Sequence, residues 1–325
     1  MMVTEATIGD LIRGKLSSAD GLMLLDLLQP ENINQELFEL VLNTVRSTVA
    51  EKASELHSFA ESIIDCCGTG GSGFSTFNTS TLVAFVLASA GLQVTKIGNR
   101  AVSGSFGSFD LLNALGIGTN ISFDQTKRIM ASSGMAFLFA PSLYPALANI
   151  GALRRQFAKR TVFNYIGPLL NPFMPEYRLL GVSNADMQKT IAGVLTKESS
   201  NKCSFVVRGF NGLDEVLCHG CTTILEIRKG NFSAAEFQAE VDASCYTGTN
   251  LSRFDPVEMF WSIVNAETSD GCSYKLVVNN AAGGLYLTGK VKTMFDGQKL
   301  TSDLLQRGKV KAKVEEVRQA YAQCS

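Results

Sequence analysis

The stretch from Asp65 to Asp110 limits the chain to one class of fold. It runs Asp65-Cys66-Cys67-Gly68-Thr69-Gly70-Gly71-Ser72-Gly73, then Phe77-Asn78-Thr79-Ser80-Thr81, then Lys96-Ile97-Gly98-Asn99-Arg100 and Ser103-Gly104-Ser105-Phe106-Gly107-Ser108. A mostly apolar run from Ser62 to Cys67 feeds a glycine loop, and hydroxyls and an Asn follow at a helix start. A second short apolar run ends at Lys96 and opens into a second Gly/Ser loop. This is a βαβ unit, which predicts a largely parallel sheet covered by helices on both faces. Both strand ends open into loops that can hold an anion, because glycine admits backbone N–H groups close to a phosphate and a helix N-terminus adds partial positive charge.

The remaining chain is organised around this unit. Its 325 residues suggest two domains, or one large domain with a satellite. Residues 1–61 read as helices: Ile8, Leu11 and Ile12 share a face, Leu22, Leu24, Leu25, Leu27 and Leu28 form a second short apolar helix, and Leu37, Leu40, Val41 and Val45 continue the pattern. Ser17 or Ser18 is expected to cap the second helix and Pro30 helps to stop it. The expected division is a helical domain at 1–61, joined by helices from about 145–185, and an α/β domain at 62–325. Within the latter, alternating strands and helices are expected through Arg208. Pro145 to Phe157 reads as one helix and Gln306 to Ala322 as a charged terminal helix, while residues 230–255 give only a weak signal.

Composition excludes several classes of function. A chain that is 46% hydrophobic and 18% charged is a packed globular protein, and a net charge of −1 argues against broad electrostatic binding of nucleic acid. Leu82 to Leu92, the longest apolar candidate, is about half the length needed to span a bilayer. With Glu5 and Asp10 near the start and no signal pattern, a cytoplasmic location is expected. Scattered spacing makes reduced thiols the expectation for the eight cysteines. Cys218-His219-Gly220-Cys221 reads as a hairpin turn between Glu215-Val216-Leu217 and Thr222-Thr223-Ile224-Leu225 rather than a metal or redox site.

The residue types narrow the chemistry. Gly68 to Gly73 satisfies G-x-G-x-x-G, but the next strand ends in Lys96 where a dinucleotide site needs a carboxylate for a ribose diol. No Walker lysine follows either. Lys96, with Asn78, Thr79, Ser80 and Thr81, indicates a phosphate site instead. Asp214-Glu215 follow the loop Gly209 to Gly212, and adjacent carboxylates beside a phosphate suit Mg²⁺. Only two histidines occur, His57 and His219, both outside the glycine motifs, so covalent nucleophilic catalysis is poorly supported. Chemistry run by positioning and by electrostatics at a leaving group needs no histidine.

These motifs, together with Arg160-Thr161-Val162-Phe163-Asn164, Gly167-Pro168-Leu169-Leu170-Asn171-Pro172, Gly212-Leu213-Asp214-Glu215, Asn280-Ala281-Ala282 and Leu285-Tyr286, make the chain similar to the anthranilate phosphoribosyltransferase family. The resemblance implies a nucleoside phosphorylase/phosphoribosyltransferase type of α/β fold with a small helical N-terminal domain, and a homodimer formed through that domain. It implies phosphoribosyl diphosphate held by Gly68, Gly71, Ser72, Thr76, Asn78, Thr79, Ser80, Thr81, Lys96, Gly104 and Ser108. Mg²⁺ would be bound by Ser80, Asp214 and Glu215. The acceptor, anthranilate, would meet Gly68, Ile97, Asn99, Arg154, Tyr144 and Pro168, and Lys96 and Asn99 are the nearest to catalytic residues. The implied reaction is attack of the anthranilate amine on ribose C1 as diphosphate departs, a step of tryptophan biosynthesis. The sequence departs from the family pattern at Ile97 and Tyr144, where the family has His, and at Ser72, where it has Asp. Other readings are a paralogue with another aromatic acceptor, a non-catalytic nucleic-acid-binding relative of the same fold, and a pyrimidine nucleoside phosphorylase.

Overall fold

The computed structural model describes residues 2–57, 62–73, 77–100, 106–118, 120–239, 255–268 and 271–324. The chain opens with three helices whose starts are each fixed by a side-chain cap: α1 (Glu5–Ile12) by Thr4, α2 (Ser18–Leu27) by Ser17 and α3 (Gln35–Arg46) by Asn34. The βαβ unit follows as β1 (Ile63–Gly68), α4 (Thr79–Ser89) and β2 (Gln93–Gly98). Next come α5 (Ser108–Ala114), α6 (Phe123–Ser133), β3 (Met135–Phe139), the single turn α7 (Ala140–Leu143) and α8 (Gly151–Phe157). The chain continues with β4 (Tyr177–Gly181), α9 (Ala185–Lys197), β5 (Cys203–Gly209), β6 (Gly220–Arg228) and β7 (Asn231–Ala239). Four helices complete it: α10 (Pro256–Val264), α11 (Gly271–Leu287), α12 (Met294–Gln306) and α13 (Lys309–Ala322).

The strands form one sheet in the order β3-β2-β1-β4-β5-β6-β7. β3 through β5 in that order are parallel, β6 pairs antiparallel with β5, and β7 pairs antiparallel with β6. Strand periodicity of two sends alternate residues to opposite faces. Along β5, Phe205 and Val207 enter one core with α4, α11 and α13, while Val206 enters another with α9 and the N-terminal helices. Ile8, Leu11, Phe38 and Val41 therefore pack in the same cluster as Leu180 and Val206. β1, β2, β4 and β5 all end on glycine, at Gly68, Gly98, Gly181 and Gly209, so the rim at these strand ends carries no side chains.

Three sequence expectations change. The segment Glu215 to Leu217 is not a strand, and no hairpin turns at His219-Gly220. Its backbone is held by side chains instead: Asn280 bonds both Val216 N and Val216 O at 2.9 Å, Thr222 Oγ1 accepts from Leu217 N and Asn279 donates to Leu217 O. The hairpin joins β6 to β7 and turns at Lys229-Gly230, both with positive φ, which suits the twist of two-residue hairpins. β7 itself lay in the weak-signal region because its residues are nearly all exposed and carry no apolar alternation. Pro145 to Phe157 splits into a 3₁₀ segment (Pro145–Ile150) and α8. The expected terminal helix, Gln306 to Ala322, is α13, which begins at Lys309 after Gly308 with φ +67°.

One buried ion cluster ties the N-terminal helices to the sheet. Arg46, at the end of α3, and Arg178, in β4, both reach Glu198 at the C-terminus of α9, and Arg46 Nη2 also donates to Leu169 O at 2.8 Å. Burial pushes the Glu198 carboxyl up, but the two guanidiniums outweigh it and hold the group below the usual carboxylate range. A depressed carboxylate contributes stability that is present above its unfolded value, about 4.3, and is lost as pH falls through the folded value. Glu198→Gln, which strands the buried Arg178 guanidinium and the half-buried one of Arg46, is expected to lower unfolding stability at pH 7 by about 3 kcal/mol, with the gap to wild type shrinking on acidification. Urea unfolding at neutral and acidic pH checks this. A gap under about 1 kcal/mol at pH 7 means that the cluster does not anchor α3.

Candidate functional site

The floor of the site is built at the ends of β1 and β2. Lys96 is only 3% exposed, and its Nζ donates to Cys66 O at 2.8 Å and to Ser80 Oγ at 3.0 Å. These use two of the three ammonium donors. Below it lies Asp65, also buried, which accepts from Asn171 Nδ2 at 2.7 Å, and the same amide donates to Thr95 Oγ1 at 2.9 Å. Burial raises the Asp65 carboxyl, with Lys96 and Asn171 acting against that. The Gly167 to Pro172 motif thus braces the strands from beneath through Asn171.

Above the floor, the glycine loop is fixed from three sides at a single residue. Gly70 N–H donates to Asp214 Oδ2 at 2.7 Å, and Gly70 O accepts from Arg160 Nη1 at 2.9 Å and Ser183 Oγ at 3.0 Å. Asp214 lies directly over two strand ends: a Cβ on Gly68 would collide with its carboxylate, and one on Gly181 with its carbonyl. Burial raises the Asp214 carboxyl, opposed by the Gly70 N–H and by the Arg160 charge.

The third wall is the start of α4. Asn78 adopts a left-handed backbone (φ +65°) and its Nδ2 donates to Phe106 O at 2.9 Å, joining the first loop to the second. Thr79 Oγ1 and Thr81 Oγ1 are buried without a hydrogen-bond partner. An unpaired buried hydroxyl is costly unless a ligand completes it, and Thr79, the first residue of α4, faces the cavity described below, at a helix start where an anion is favoured. Ser108, at the start of α5, donates to Asn99 O at 3.3 Å.

Together these groups enclose a cavity of about 270 Å³. Of the residues that the resemblance implied for the donor and the metal, Gly68, Gly71, Ser72, Asn78, Thr79, Ser80, Lys96, Ser108, Asp214 and Glu215 line it. Thr81 does not: it is fully buried as the third residue of α4, behind the cavity wall. Thr76 and Gly104 lie outside the described residues.

A second cavity, of about 240 Å³, adjoins the first. Gly68, Ile97, Asn99, Arg154 and Pro168, the residues that the resemblance implied for an acceptor, line it beside Leu147, Phe163, Ile166 and Leu170. Tyr144 is not brought to its surface. That ring is buried in the core and its hydroxyl donates to Leu170 O at 2.9 Å, so it supports the wall from behind, with burial pushing the phenol up to about 12. Among the described residues, Arg154 is the one charged side chain lining this cavity, and burial, with Arg160 nearby, works against its charge. The two cavities share Cys67, Gly68, Ile97, Gly98 and Asn99.

Cys67 stands on the shared boundary, but burial and Asp65 push its thiol well up, which keeps it protonated and a poor nucleophile. Cys218 is buried with Leu213, Leu217 and Leu276, and no cluster of three metal-ligating side chains occurs among the described residues. Sequence reasoning named no role for Arg160, Ser183, Asp65 or Asn280. Arg160 lies 90 residues from Gly70, and only the fold brings them together.

Comparison with known proteins agrees with this geometry. A family model described as "Glycosyl transferase family, a/b domain" matches residues 60–311. An anthranilate phosphoribosyltransferase of Pseudoalteromonas translucida (strain TAC 125) is 33% identical over 309 residues, covering 94% of this chain and 85% of that protein. One of Nitrosomonas europaea is 37% identical over 260 residues, 79% of this chain and 75% of that protein. Among solved structures, anthranilate phosphoribosyltransferase from Thermus thermophilus superposes with a TM-score of 0.86 at 26% identity, over 98% of this chain and 94% of that one. The Saccharomyces cerevisiae enzyme, in complex with PRPP and Mg, shares the fold at TM-score 0.72 and 24% identity, over 98% of this chain and 99% of that one. The chain belongs to the anthranilate phosphoribosyltransferase family.

Proposed function

We propose that the protein transfers the phosphoribosyl group of phosphoribosyl diphosphate to the amine of anthranilate, releasing diphosphate and N-(5-phosphoribosyl)anthranilate. The observation that carries this reading is the pair of adjoining cavities. One is a polar cradle over Lys96 and the start of α4, and the other is largely apolar with a single charged group, Arg154, among the described residues. Their shared boundary at Gly68 and Gly98-Asn99 is where an amine held on one side reaches a ribose carbon held on the other.

In this reading Arg154 pairs with the anthranilate carboxylate, for which a planar guanidinium is well matched. Ile97 and Pro168 pack on the ring and exclude water from its faces. Lys96 and the N–H groups opening α4 face the diphosphate, so charge that builds on the leaving group meets fixed positive ends. Ser80, Asp214 and Glu215 present only oxygen donors to the same cavity, which fits Mg²⁺. Mg²⁺ held there would neutralise part of the diphosphate charge. Cytoplasmic location, a place in tryptophan biosynthesis, a helical domain at 1–61 set against an α/β domain, and a homodimer formed through those helices belong to the same proposal. Light scattering in solution tests the dimer.

Mixing the protein with anthranilate, phosphoribosyl diphosphate and Mg²⁺ should cause loss of anthranilate fluorescence, and chelation of the metal should stop it. Diphosphate release only with another aromatic amine would move the assignment to a different acceptor, as Ile97 in place of a histidine permits. Arg154→Ala is expected to raise the anthranilate KM by about tenfold to a hundredfold, the loss of a charge-assisted pair, with the phosphoribosyl diphosphate KM little changed. Steady-state kinetics with each substrate varied decide it, and equal loss for both substrates contradicts the role.

A further inference from the structure

Arg160 is the charged residue nearest the glycine loop to which the reading above gives no task. It follows α8 and reaches back over the Tyr165 ring, with its guanidinium carbon 4.6 Å from the ring centre. Nη1 donates to Gly70 O at 2.9 Å and Nη2 to Thr69 O at 3.4 Å, while Nε is buried with no hydrogen-bond partner. The guanidinium occupies the space that a side chain at position 71 would need, since a Cβ on Gly71 would overlap it.

The loop has reason to need such a tie. Gly70, Gly71 and Gly73 all have positive φ, and consecutive glycines leave a free loop many conformations of similar energy. An anion site built from backbone N–H groups works only when those groups converge. The peptide units about Gly70 are held at both ends, the N–H by Asp214 and the C=O by Arg160. A guanidinium can hold two neighbouring carbonyls with its fork, and stacking on Tyr165 sets the plane of that fork. Tyr165 is itself 2% exposed in the core, so the support is rigid.

We propose that Arg160 is a positioning residue for the donor loop, holding the Thr69–Gly70 carbonyls so that the loop is shaped to receive phosphoribosyl diphosphate. This rests on the reading that the glycine loop is the donor site. It assigns Arg160 to the donor substrate even though the residue is delivered by the segment that also supplies Arg154 to the acceptor cavity.

The test is calorimetric binding of phosphoribosyl diphosphate with Mg²⁺ and no acceptor, followed by steady-state kinetics. Arg160→Ala should weaken donor binding at least about tenfold and raise the donor KM to match, with the anthranilate KM little changed. Millimolar guanidinium chloride should restore part of the donor affinity, which a merely structural defect would not allow. Arg160→Lys, a point charge without the fork, should fall between wild type and Ala, and it carries the test should Arg160→Ala fail to fold. Unchanged donor binding in the variants, or equal loss for both substrates without rescue, overturns the proposal. Failure of the wild-type protein to bind phosphoribosyl diphosphate overturns the functional reading itself.

Discussion

The site depends on a half-buried carboxylate seated over the ends of two parallel strands. Asp214 lies so close to Gly68 and Gly181 that neither position tolerates a Cβ. That approach lets one oxygen accept from Gly70 N–H while the loop carrying Asp214 and Glu215 crosses the rim of the sheet. The loop has no neighbouring strand to satisfy its backbone, and a buried unpaired peptide group is costly. Asn279 and Asn280, from the buried helix α11, take the place of that strand. The fit of glycine rim, carboxylate and amide brace is what joins a candidate metal site to a phosphate cradle.

Charge is handled differently at the two ends of the sheet. Glu198 is paired with two guanidiniums and stays below the usual carboxylate range, which marks a structural cluster. Asp65 and Asp214, nearer the cavity, are both raised by burial that their partners only partly offset. Thr79, on the cavity wall, adds a buried hydroxyl without a partner. A buried hydroxyl left unpaired on a cavity wall is one that a charged ligand can complete.

Much of the architecture was legible because the βαβ unit and its glycine loop carry strong local signals. Lys96 at a strand end excludes a dinucleotide site on local pattern alone, and its buried bonds to Cys66 O and Ser80 Oγ agree with a cation set beneath a phosphate cradle. The illegible parts share one cause. Val216 and Leu217 have the residue types of a strand but are held by side chains from residues far along the chain, and β7 lacks apolar alternation because nearly all of it is exposed. Tyr144 could be placed near the acceptor by its neighbours in sequence, but not in front of or behind the wall.

By itself the sequence determined the α/β class, and pointed to a candidate phosphate cradle and the types of group that would serve it, because those follow from local patterns of glycine, hydroxyl and charge. Only the tertiary structure decided that two cavities adjoin at Gly68 and Gly98-Asn99, that Thr81 and Tyr144 stand behind their walls, and that Arg160 reaches Gly70. These are long-range contacts, set by packing of helices on the sheet, and no local pattern in the chain records which side of a wall a side chain meets.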